Sequence, residues 1–335
     1  MSRLPVLLPV VLVLVLVAGC AAEAPPPAVL AAVAPVPAGT QVVSGADAAA
    51  ARPAPVCADG SDPVASLAPT GPVPAPGAVP AGSAMARIVQ RGILVVGVDQ
   101  NTFPFGYRDP ATGALTGFDV AVAKEIARAL FGDPERVRLR TESSGQRIPN
   151  LLAGDVDVVV QTMTANCERR RSIEFSSVYY AAAQRILVPR TSTVRGLADL
   201  AGRPVCSIEG STSVATLLAA TPPPVTLTVP EKSDCQVLLQ QGQVDAVSTD
   251  DTILAGFAAD DPRVEVRGPS LALEPYGIGV APQNTDLVRY VNAVLDRMRT
   301  DGTWQRIYEQ TPTLGAGLGG PPGPAPLPPA PRYRA

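Results

Sequence analysis

Short apolar runs alternate with helical patterns along the middle of the 335-residue chain. Residues 93–98 form a β-rich run of the type that is buried on both faces of a parallel sheet. Residues 118–130 place apolar side chains at helical spacing, and Gly132 and Pro134 end that helix. Similar segments follow, with strands over 137–141, 156–160, 204–208, 225–229, 244–249 and 264–267 and helices over 148–153, 213–220, 235–241 and 252–259. This alternation predicts an α/β protein with parallel sheets.

One sequence pattern occurs twice in the core. Residues 151–159 (LLAGDVDVV) and 238–247 (LLQQGQVDAV) each combine a helix end, a glycine, a Val-Asp pair and a buried strand. Polar residues follow both strands, QTMT at 161–164 and STDD at 248–251. Because ligands in open α/β sheets bind beyond the carboxyl ends of the strands, the repeat predicts two lobes that face one cleft. Ordinary strand-to-helix turns with capping Thr and Asp residues are the alternative interpretation.

The N-terminus predicts export from the cytoplasm. Arg3 precedes an apolar run over residues 6–18, which is the order of a secretory signal and too short to span a bilayer comfortably. Small residues before Cys20 resemble the bacterial lipobox, which implies that residues 1–19 are removed and that Cys20 is lipidated. An uncleaved anchor or an ordinary signal peptide is the alternative, and both also place the chain outside the cytoplasm.

Two stretches rich in Ala, Pro and Gly flank the core. Residues 20–84 are predicted to be the lipidated cysteine and a flexible tether, since this composition buries too little apolar surface to offset the entropy of ordering. Residues 311–335 form a second Pro/Gly-rich segment, a C-terminal tail. The core between them is long enough for one large or two medium folding units.

Charge and histidine content exclude several function classes. The formal net charge is −3, so the basic balance of a nucleic-acid-binding protein is absent. The chain has no histidine, which excludes Ser-His-Asp and Cys-His catalysis and removes the commonest metal ligand. We therefore expect no nucleic-acid partner, no catalytic residue, no metal and no cofactor.

The cysteines predict disulfide bonds. With Cys20 lipidated, four cysteines remain, an even number in an oxidising compartment, and the count alone leaves three connectivities open. Cys206 lies in a predicted strand and Cys235 opens the helix after the next strand. Parallel neighbours bring these positions within reach of each other, which favours a Cys206–Cys235 bond and, by elimination, a Cys57–Cys167 bond.

Eight short motifs occur in a fixed order along the core. They are FPFGY at 103–107, GFDV at 117–120, RIP at 147–149, TMT at 162–164, ER at 168–169, GST at 210–212, VDAV at 244–247 and DGTW at 301–304. This set resembles family 3 of the solute-binding proteins, the polar amino-acid receptors of ABC importers. The cysteine positions and the stretch at 248–256 are similar to the actinobacterial glutamine/glutamate-binding lipoproteins.

The resemblance implies a type II periplasmic-binding-protein fold, with two α/β lobes and a two-segment hinge. Lobe 1 would comprise residues 85–184 and 276–310, and lobe 2 residues 185–275. The lobes would close around a polar amino acid by a hinge motion. The chain would be a monomer, lipid-anchored to the outer face of the cell membrane, that passes the amino acid to an ABC permease and its ATPase.

The resemblance also places an α-carboxylate site. Arg169 lies at the family's carboxylate-binding position, where a buried carboxylate needs charge-assisted donors, and Thr162 and Thr164 lie close by in sequence. Ser211 and Thr212 open a helix whose free N–H groups suit the same carboxylate. The alternatives are a solvated arginine at 169 and simple helix capping at 211–212.

The resemblance assigns the ligand's ammonium to Asp250 and leaves its neighbour Asp251 as the helix cap. The reverse assignment of these two aspartates is the alternative. Phe103 takes over stacking on the ligand where relatives place an aromatic residue at the position of Thr102; core packing is its alternative. These departures alter the family's side-chain pocket.

The segment 143–149 resembles the Ser-x-x-Arg-Ile-Pro pattern of receptors for acidic amino acids, in which the serine and arginine contact the ligand. Ser144 and Arg147 occupy those positions here. This predicts glutamate, aspartate, asparagine or glutamine ahead of arginine, lysine or histidine, because a cationic ligand would meet Arg147 in a desolvated cleft. The alternative is that Arg147 only covers the helix start.

Two other functions share these features. An extracytoplasmic sensor that signals to a membrane protein would have an identical core, and neighbouring genes for a permease and ATPase or for a signalling protein would discriminate the two. An enzyme of the prephenate-dehydratase type would suit the fold, but export and lipidation argue against it.

Overall fold

The computed structural model describes residues 35–44, 56–311, 314 and 326–334 of the chain. The predicted signal segment, the lipidation site Cys20 and residues 315–325 of the predicted tail lie outside the described residues. Within these ranges, no helix combines the length and the hydropathy that a bilayer-spanning segment needs.

Strands and helices alternate along the described residues. The strands are β1 Gln41–Val43, β2 Ser66–Leu67, β3 Leu94–Val98, β4 Asn101–Thr102, β5 Gly106–Arg108, β6 Leu115–Thr116, β7 Val137–Thr141, β8 Val158–Val159, β9 Glu174–Phe175, β10 Tyr180–Pro189, β11 Pro204–Ile208, β12 Val225–Val229, β13 Ala246–Asp250, β14 Val264–Tyr276, β15 Gly279–Val280 and β16 Tyr333–Arg334. The α-helices are α1 Ala84–Arg91, α2 Phe118–Phe131, α3 Arg147–Ala153, α4 Thr212–Leu218, α5 Lys232–Gln240, α6 Asp251–Asp260, α7 Thr285–Thr300 and α8 Thr303–Gln310. Short 3₁₀ helices span Arg169–Arg171 and Leu197–Leu200.

A five-stranded sheet with the order β7-β3-β8-β15-β9 forms the first lobe. Strand β3 runs parallel to β7 and β8, whereas β15 is antiparallel to β8 and β9. Leu94, Val96 and Val98 of β3 are buried, as expected for a central strand of a parallel sheet.

Helix α2 packs its apolar stripe into the core of the first lobe. Phe118, Ile126 and Leu130, which predict this helix, are fully buried. Gly117 precedes it with a φ of 118°, and a Cβ atom there would overlap the backbone carbonyl of Phe105. Only glycine fits this junction, because it combines a positive φ with a close backbone approach.

A six-stranded sheet with the order β1-β12-β11-β13-β10-β14 forms the second lobe. Strands β12, β11 and β13 are parallel, and β1, β10 and β14 are antiparallel additions at its two sides. The chain therefore has the two-lobed α/β architecture of the type II fold.

Two long antiparallel strands, β10 and β14, carry the chain between the lobes. They pair from Tyr180 opposite Tyr276 to Pro189 opposite Val264. The sequence pattern predicts only a short strand over 264–267. The observed strand is longer because β10 offers backbone partners along its whole length. The predicted lobe boundary after residue 184 thus falls inside β10.

The described part of the predicted tether contacts both lobes. Strand β1 pairs with β12 at the edge of the second sheet, and β2 pairs with β16 of the tail. Ser66 and Leu67 are buried, and Asn292 Nδ2 donates to Ser66 Oγ and to the Leu67 carbonyl at 2.7 Å. These residues pack onto the core, which departs from the flexible tether expected from composition, because a few well-placed backbone pairs suffice to hold them.

Two disulfide bonds are present, in the pairs that the sequence favours. Cys57 is bonded to Cys167, with a Cα–Cα distance of 5.4 Å, and Cys206 is bonded to Cys235 at 5.5 Å. The first fastens the segment before β2 to the first lobe, next to Arg169. The second joins β11 to α5 inside the second lobe.

Candidate functional site

A cavity lies between the lobes, at the carboxyl ends of the strands of both sheets, as the repeated sequence pattern predicts. The first lobe contributes Ser144, Arg147, Thr162, Thr164 and Arg169 to its lining. The second lobe contributes Ile208, Ser211, Thr212, Lys232, Thr249, Asp250 and Ile253.

Two buried arginines of the first lobe converge on one atom of the second. Arg169 donates from Nη1 to the Thr164 carbonyl at 2.8 Å and from Nη2 to the Gly210 carbonyl at 3.0 Å. Arg147 donates from Nη2 to the same Gly210 carbonyl at 3.2 Å and from Nε to the Ser144 carbonyl at 2.8 Å. The arginine at 169 is thus buried in the cleft rather than solvated.

The two guanidiniums make this end of the cavity strongly electropositive. Burial lowers the pKa of both arginines, and the charge of Arg169 adds to that effect at Arg147, whose pKa falls to about 9. Like charges at short range in a dry site favour the binding of an anion between them.

Asp250 supplies the opposite charge from the second lobe. It ends β13, is buried, and accepts a hydrogen bond of 2.6 Å from the Tyr276 hydroxyl. Burial raises the pKa of its carboxyl, while Tyr276, Lys232 and the two arginines act against that shift. Asp250 lines the cavity and Asp251 does not. The expected capping role of Asp251 is wrong, because Asp250 occupies the N-cap position of α6, without a side-chain capping bond, and Asp251 is the first residue of the helix.

Thr162 is held in an unusual backbone conformation by the GFDV motif. Its φ is 39°, a region that few residues other than glycine adopt. Its N–H donates to Asp119 Oδ2 at 2.9 Å, and the Tyr179 hydroxyl donates to Asp119 Oδ1 at 2.7 Å. Burial raises the pKa of Asp119 to about 6, and these two hydrogen bonds oppose the rise. Asp119 therefore positions the turn that carries the cavity-lining threonines.

The hydroxyl residues at the start of α4 face the same space. Ser211 Oγ and Thr162 Oγ1 are both buried, and neither has a hydrogen-bond partner among the described residues. Thr212 is buried as well, and its hydroxyl donates a hydrogen bond to the carboxyl of Glu274 on β14. Ser211 makes no side-chain capping bond, so capping does not explain it.

Phe103 does not line the cavity described here. Its ring packs edge-on against Tyr107, with 4.8 Å between ring centroids. This placement agrees with the packing alternative rather than with stacking on a ligand.

Lys232 is a cavity residue that the sequence pattern does not reveal. It begins α5 in the second lobe, is buried, and forms an ion pair with Asp99, which follows β3 in the first lobe. Burial raises the pKa of Asp99, but the charge and the hydrogen bond of Lys232 act in the opposite direction, and the pKa of this carboxyl lies below its usual value. The pair links the lobes and neutralises the lysine.

Glu274 is the second residue that sequence reasoning misses. It is fully buried on β14, and its Oε2 accepts hydrogen bonds from Thr164 of the first lobe and, at 2.7 Å, from Thr212 of the second. Burial, followed by the charge of Asp250, raises the pKa of Glu274 to about 8.

Residues 94–311 match the model of the bacterial extracellular solute-binding proteins, family 3. The ABC transporter glutamine-binding protein GlnH of Bacillus subtilis is 34% identical over 227 residues, which cover 68% of this chain and 83% of that protein. The glutamate-binding protein GluB of Corynebacterium efficiens is 30% identical over 243 residues, covering 68% and 82%.

Among solved structures, the arginine-bound form of truncated ArgBP from T. maritima is similar to this chain with a TM-score of 0.60 and 31% identity. The match covers 64% of this chain and 99% of that one. The match to the family model begins in β3 and extends past α8, so it contains all of the cavity residues named above and every strand of the two sheets except β1.

Proposed function

We propose that this chain, which belongs to family 3 of the bacterial extracellular solute-binding proteins, binds one acidic or amide amino acid between its lobes and presents it to an ABC importer. The family and its relatives bind amino acids for ABC transporters and are not enzymes. The proposal therefore concerns which amino acid is bound and how the chain is held at the membrane.

The α-amino acid group fits the two opposite charges of the cavity. Arg169 offers a bidentate fork to the α-carboxylate, assisted by the helix start at Ser211 and Thr212. Asp250, on the other lobe, accepts the ammonium. Because one partner comes from each lobe, a bound zwitterion stabilises the closed arrangement.

Arg147 carries the proposal that the ligand has an acidic or amide side chain. Its guanidinium is buried and donates to the carbonyls of Ser144, Gln161 and Gly210, and it forms no ion pair among the described residues. Lys232 is already neutralised by Asp99. A carboxylate or carboxamide oxygen is therefore the group that the remaining charge of the cavity favours, and a cationic side chain is disfavoured.

The names of the relatives support an amino acid as the ligand, and experiment must identify which one this chain binds. Two of them are named for glutamine and glutamate, and one similar structure holds arginine. Because one similar structure holds arginine, the ligand screen must compare acidic and amide amino acids with cationic ones.

The test is a calorimetric screen of the mature chain against glutamate, aspartate, glutamine, asparagine, arginine, lysine and cysteine. We expect micromolar or tighter affinity, roughly −8 kcal/mol, for an acidic or amide ligand, and at least about tenfold weaker binding of arginine and lysine. Preferential binding of a cationic amino acid would refute the proposal.

We include lipid anchoring at Cys20 in the proposal, because small residues precede this cysteine after an apolar run. Cys20→Ala is expected to abolish the incorporation of radiolabelled palmitate into the protein, whereas incorporation equal to that of wild type, or none in wild type, would contradict lipidation at this residue. Cross-linking in intact cells then distinguishes an ABC permease from a membrane sensor as the partner.

A further inference from the structure

The hydroxyl and guanidinium groups that suit a ligand carboxylate already surround a carboxyl group of the protein. Thr164 and Thr212 both line the cavity and both donate to Oε2 of Glu274. Arg169 acts electrostatically on the same carboxyl. Glu274 therefore competes with an incoming α-carboxylate for the same donors.

Two charged residues act on Glu274, one from each lobe, and its cross-strand neighbour is uncharged. Arg169 of the first lobe favours its ionised form, and Asp250 at the end of β13 opposes it. Ala182 of β10 faces it across the strand pair and carries no charge. The second oxygen, Oε1, is buried and has no hydrogen-bond partner among the described residues, so it is the place where a proton can reside.

We propose that Glu274 is a proton-linked residue of the binding site, so that the α-carboxylate of an amino acid is bound only while Glu274 carries a proton. Two ionised carboxylates that share donors in a dry site repel each other strongly, and one of them becomes protonated. A protonated Glu274 is neutral, so it no longer attracts the Arg169 guanidinium. Its protonated Oε1 can donate a hydrogen bond.

This proposal rests on the proposed function only in requiring an amino acid with an α-carboxylate, whatever its side chain. The raised pKa of Glu274, about 8 before a ligand binds, supports it. Binding removes part of the stabilisation that Arg169 gives to the anion, so the pKa of Glu274 rises further. Where the pH is low enough for Glu274 to be protonated before binding, affinity is independent of its titration, whereas at higher pH binding must draw in a proton.

Calorimetry of the mature chain in detergent micelles, with L-glutamate, L-glutamine and L-arginine as probes, gives the proton uptake. At pH 9, titrations in two buffers of different ionisation enthalpy give the number of protons taken up on binding. This number should be close to one higher for the wild type than for Glu274→Gln. Between pH 7 and pH 9 the wild-type affinity should fall about tenfold more than that of Glu274→Gln. Comparison with Glu274→Gln cancels the titration of the ligand ammonium and of Arg147.

Glu265→Gln is the matched control, because Glu265 lies on the same strand but pairs with Arg190 at the surface. It should behave as wild type. Thr212→Val removes one hydrogen bond that lowers the pKa of Glu274 and should move the pH profile to higher pH. Equal proton uptake and equal pH profiles in wild type and Glu274→Gln would overturn the proposal.

The readout separates this proposal from the ligand assignment. If arginine is the tightest ligand, the acidic preference fails, yet proton uptake with arginine still decides the role of Glu274. If none of the three probes binds, the carboxylic-acid C=O band in infrared spectra at pH 7 decides it instead. A band that disappears in Glu274→Gln supports the protonated site, and a spectrum unchanged by the substitution overturns it.

Discussion

The backbone carbonyl of Phe103 in the first lobe lies directly against Gly256 of helix α6 in the second lobe, and a Cβ atom at residue 256 would overlap that oxygen. A glycine inside a helix costs about 1 kcal/mol relative to alanine. Gly256 therefore weakens its own helix, and its smallness is what allows the two lobes to touch here.

Gly256→Ala is expected to hinder closure without unfolding the chain. The added methyl group holds Phe103 and α6 apart, so affinity for glutamate or glutamine should fall at least about tenfold. The melting temperature without ligand should not fall, since alanine favours the helix. Calorimetry and thermal unfolding measure the two effects. Gly71→Ala is the control because nothing lies within 4 Å of a Cβ atom there, and wild-type affinity in Gly256→Ala would contradict the idea.

Arg169→Ala is expected to weaken amino-acid binding by about 2–4 kcal/mol, because the α-carboxylate is left in a dry site without its main donor. Arg171→Ala, in the same 3₁₀ turn but exposed, is the matched control and should bind as wild type. The measurement is calorimetry on variants whose circular dichroism matches wild type. A folded Arg169→Ala protein that binds within twofold of wild type would remove this residue from the site.

Arg147→Met is expected to reduce the preference for acidic over neutral amino acids, since methionine keeps the packing but removes the charge. Glutamate should lose at least about tenfold in affinity relative to cysteine, and arginine should gain. Competition binding on wild type and variant checks this. If the variant keeps the wild-type preference, Arg147 has only a structural role over the start of α3.

Lys232→Met is expected to lower the free energy of unfolding by about 3–5 kcal/mol at pH 7, because it leaves Asp99 buried without its ion partner. The double variant Lys232→Met/Asp99→Asn should recover much of this loss. Since the pKa of Asp99 is lowered in the folded state, the stabilisation by the pair is complete above the unfolded-state pKa of about 4. It is lost as the pH falls through the folded-state pKa. Urea unfolding at neutral and acidic pH measures both effects, and equal stability of single and double variants would contradict the coupling.

Removal of the disulfides is expected to destabilise the chain to different extents. The sequence separations are 110 residues for Cys57–Cys167 and 29 for Cys206–Cys235. Loop-closure entropy then predicts losses of about 5 and about 3.5 kcal/mol for the paired serine variants. Denaturant unfolding measures the losses, and non-reducing peptide mapping checks the pairing. Four free thiols in the exported protein, or a bond from Cys57 into the second lobe, would refute it.

The sequence predicts those parts of the fold that local periodicity encodes. Val96 and Ile126 illustrate this, since a strand or a helix with one buried face leaves its period in the residue pattern. Asp250 ends a strand, so the general geometry of parallel sheets places it at the cleft. Arg169 lies in a 3₁₀ helix after β8, and only the resemblance of its motif to the family predicts its place in the site.

Lys232 and Glu274 are missed because their importance arises only from distant partners. Lys232 is one charged residue at a helix start, and its ion pair with Asp99 joins residues 133 positions apart. Glu274 lies on β14, beyond residue 267, where the sequence pattern predicts that this strand ends. The two hydroxyls that donate to it belong to residues 110 and 62 positions away. Neither contact leaves a periodic or compositional trace.

Strand β15 lies between β8 and β9 in the first sheet, although it follows the whole second lobe in the chain. As the polypeptide is synthesised from its N-terminus, β9 thus appears well before the strand that connects it to β8. The whole second-lobe segment precedes β15 in the chain. It can therefore fold while the edges of β8 and β9 that β15 will cover are still unpaired. The first sheet is therefore completed only by β15, its last strand in sequence, after every residue that lines the cavity has been synthesised.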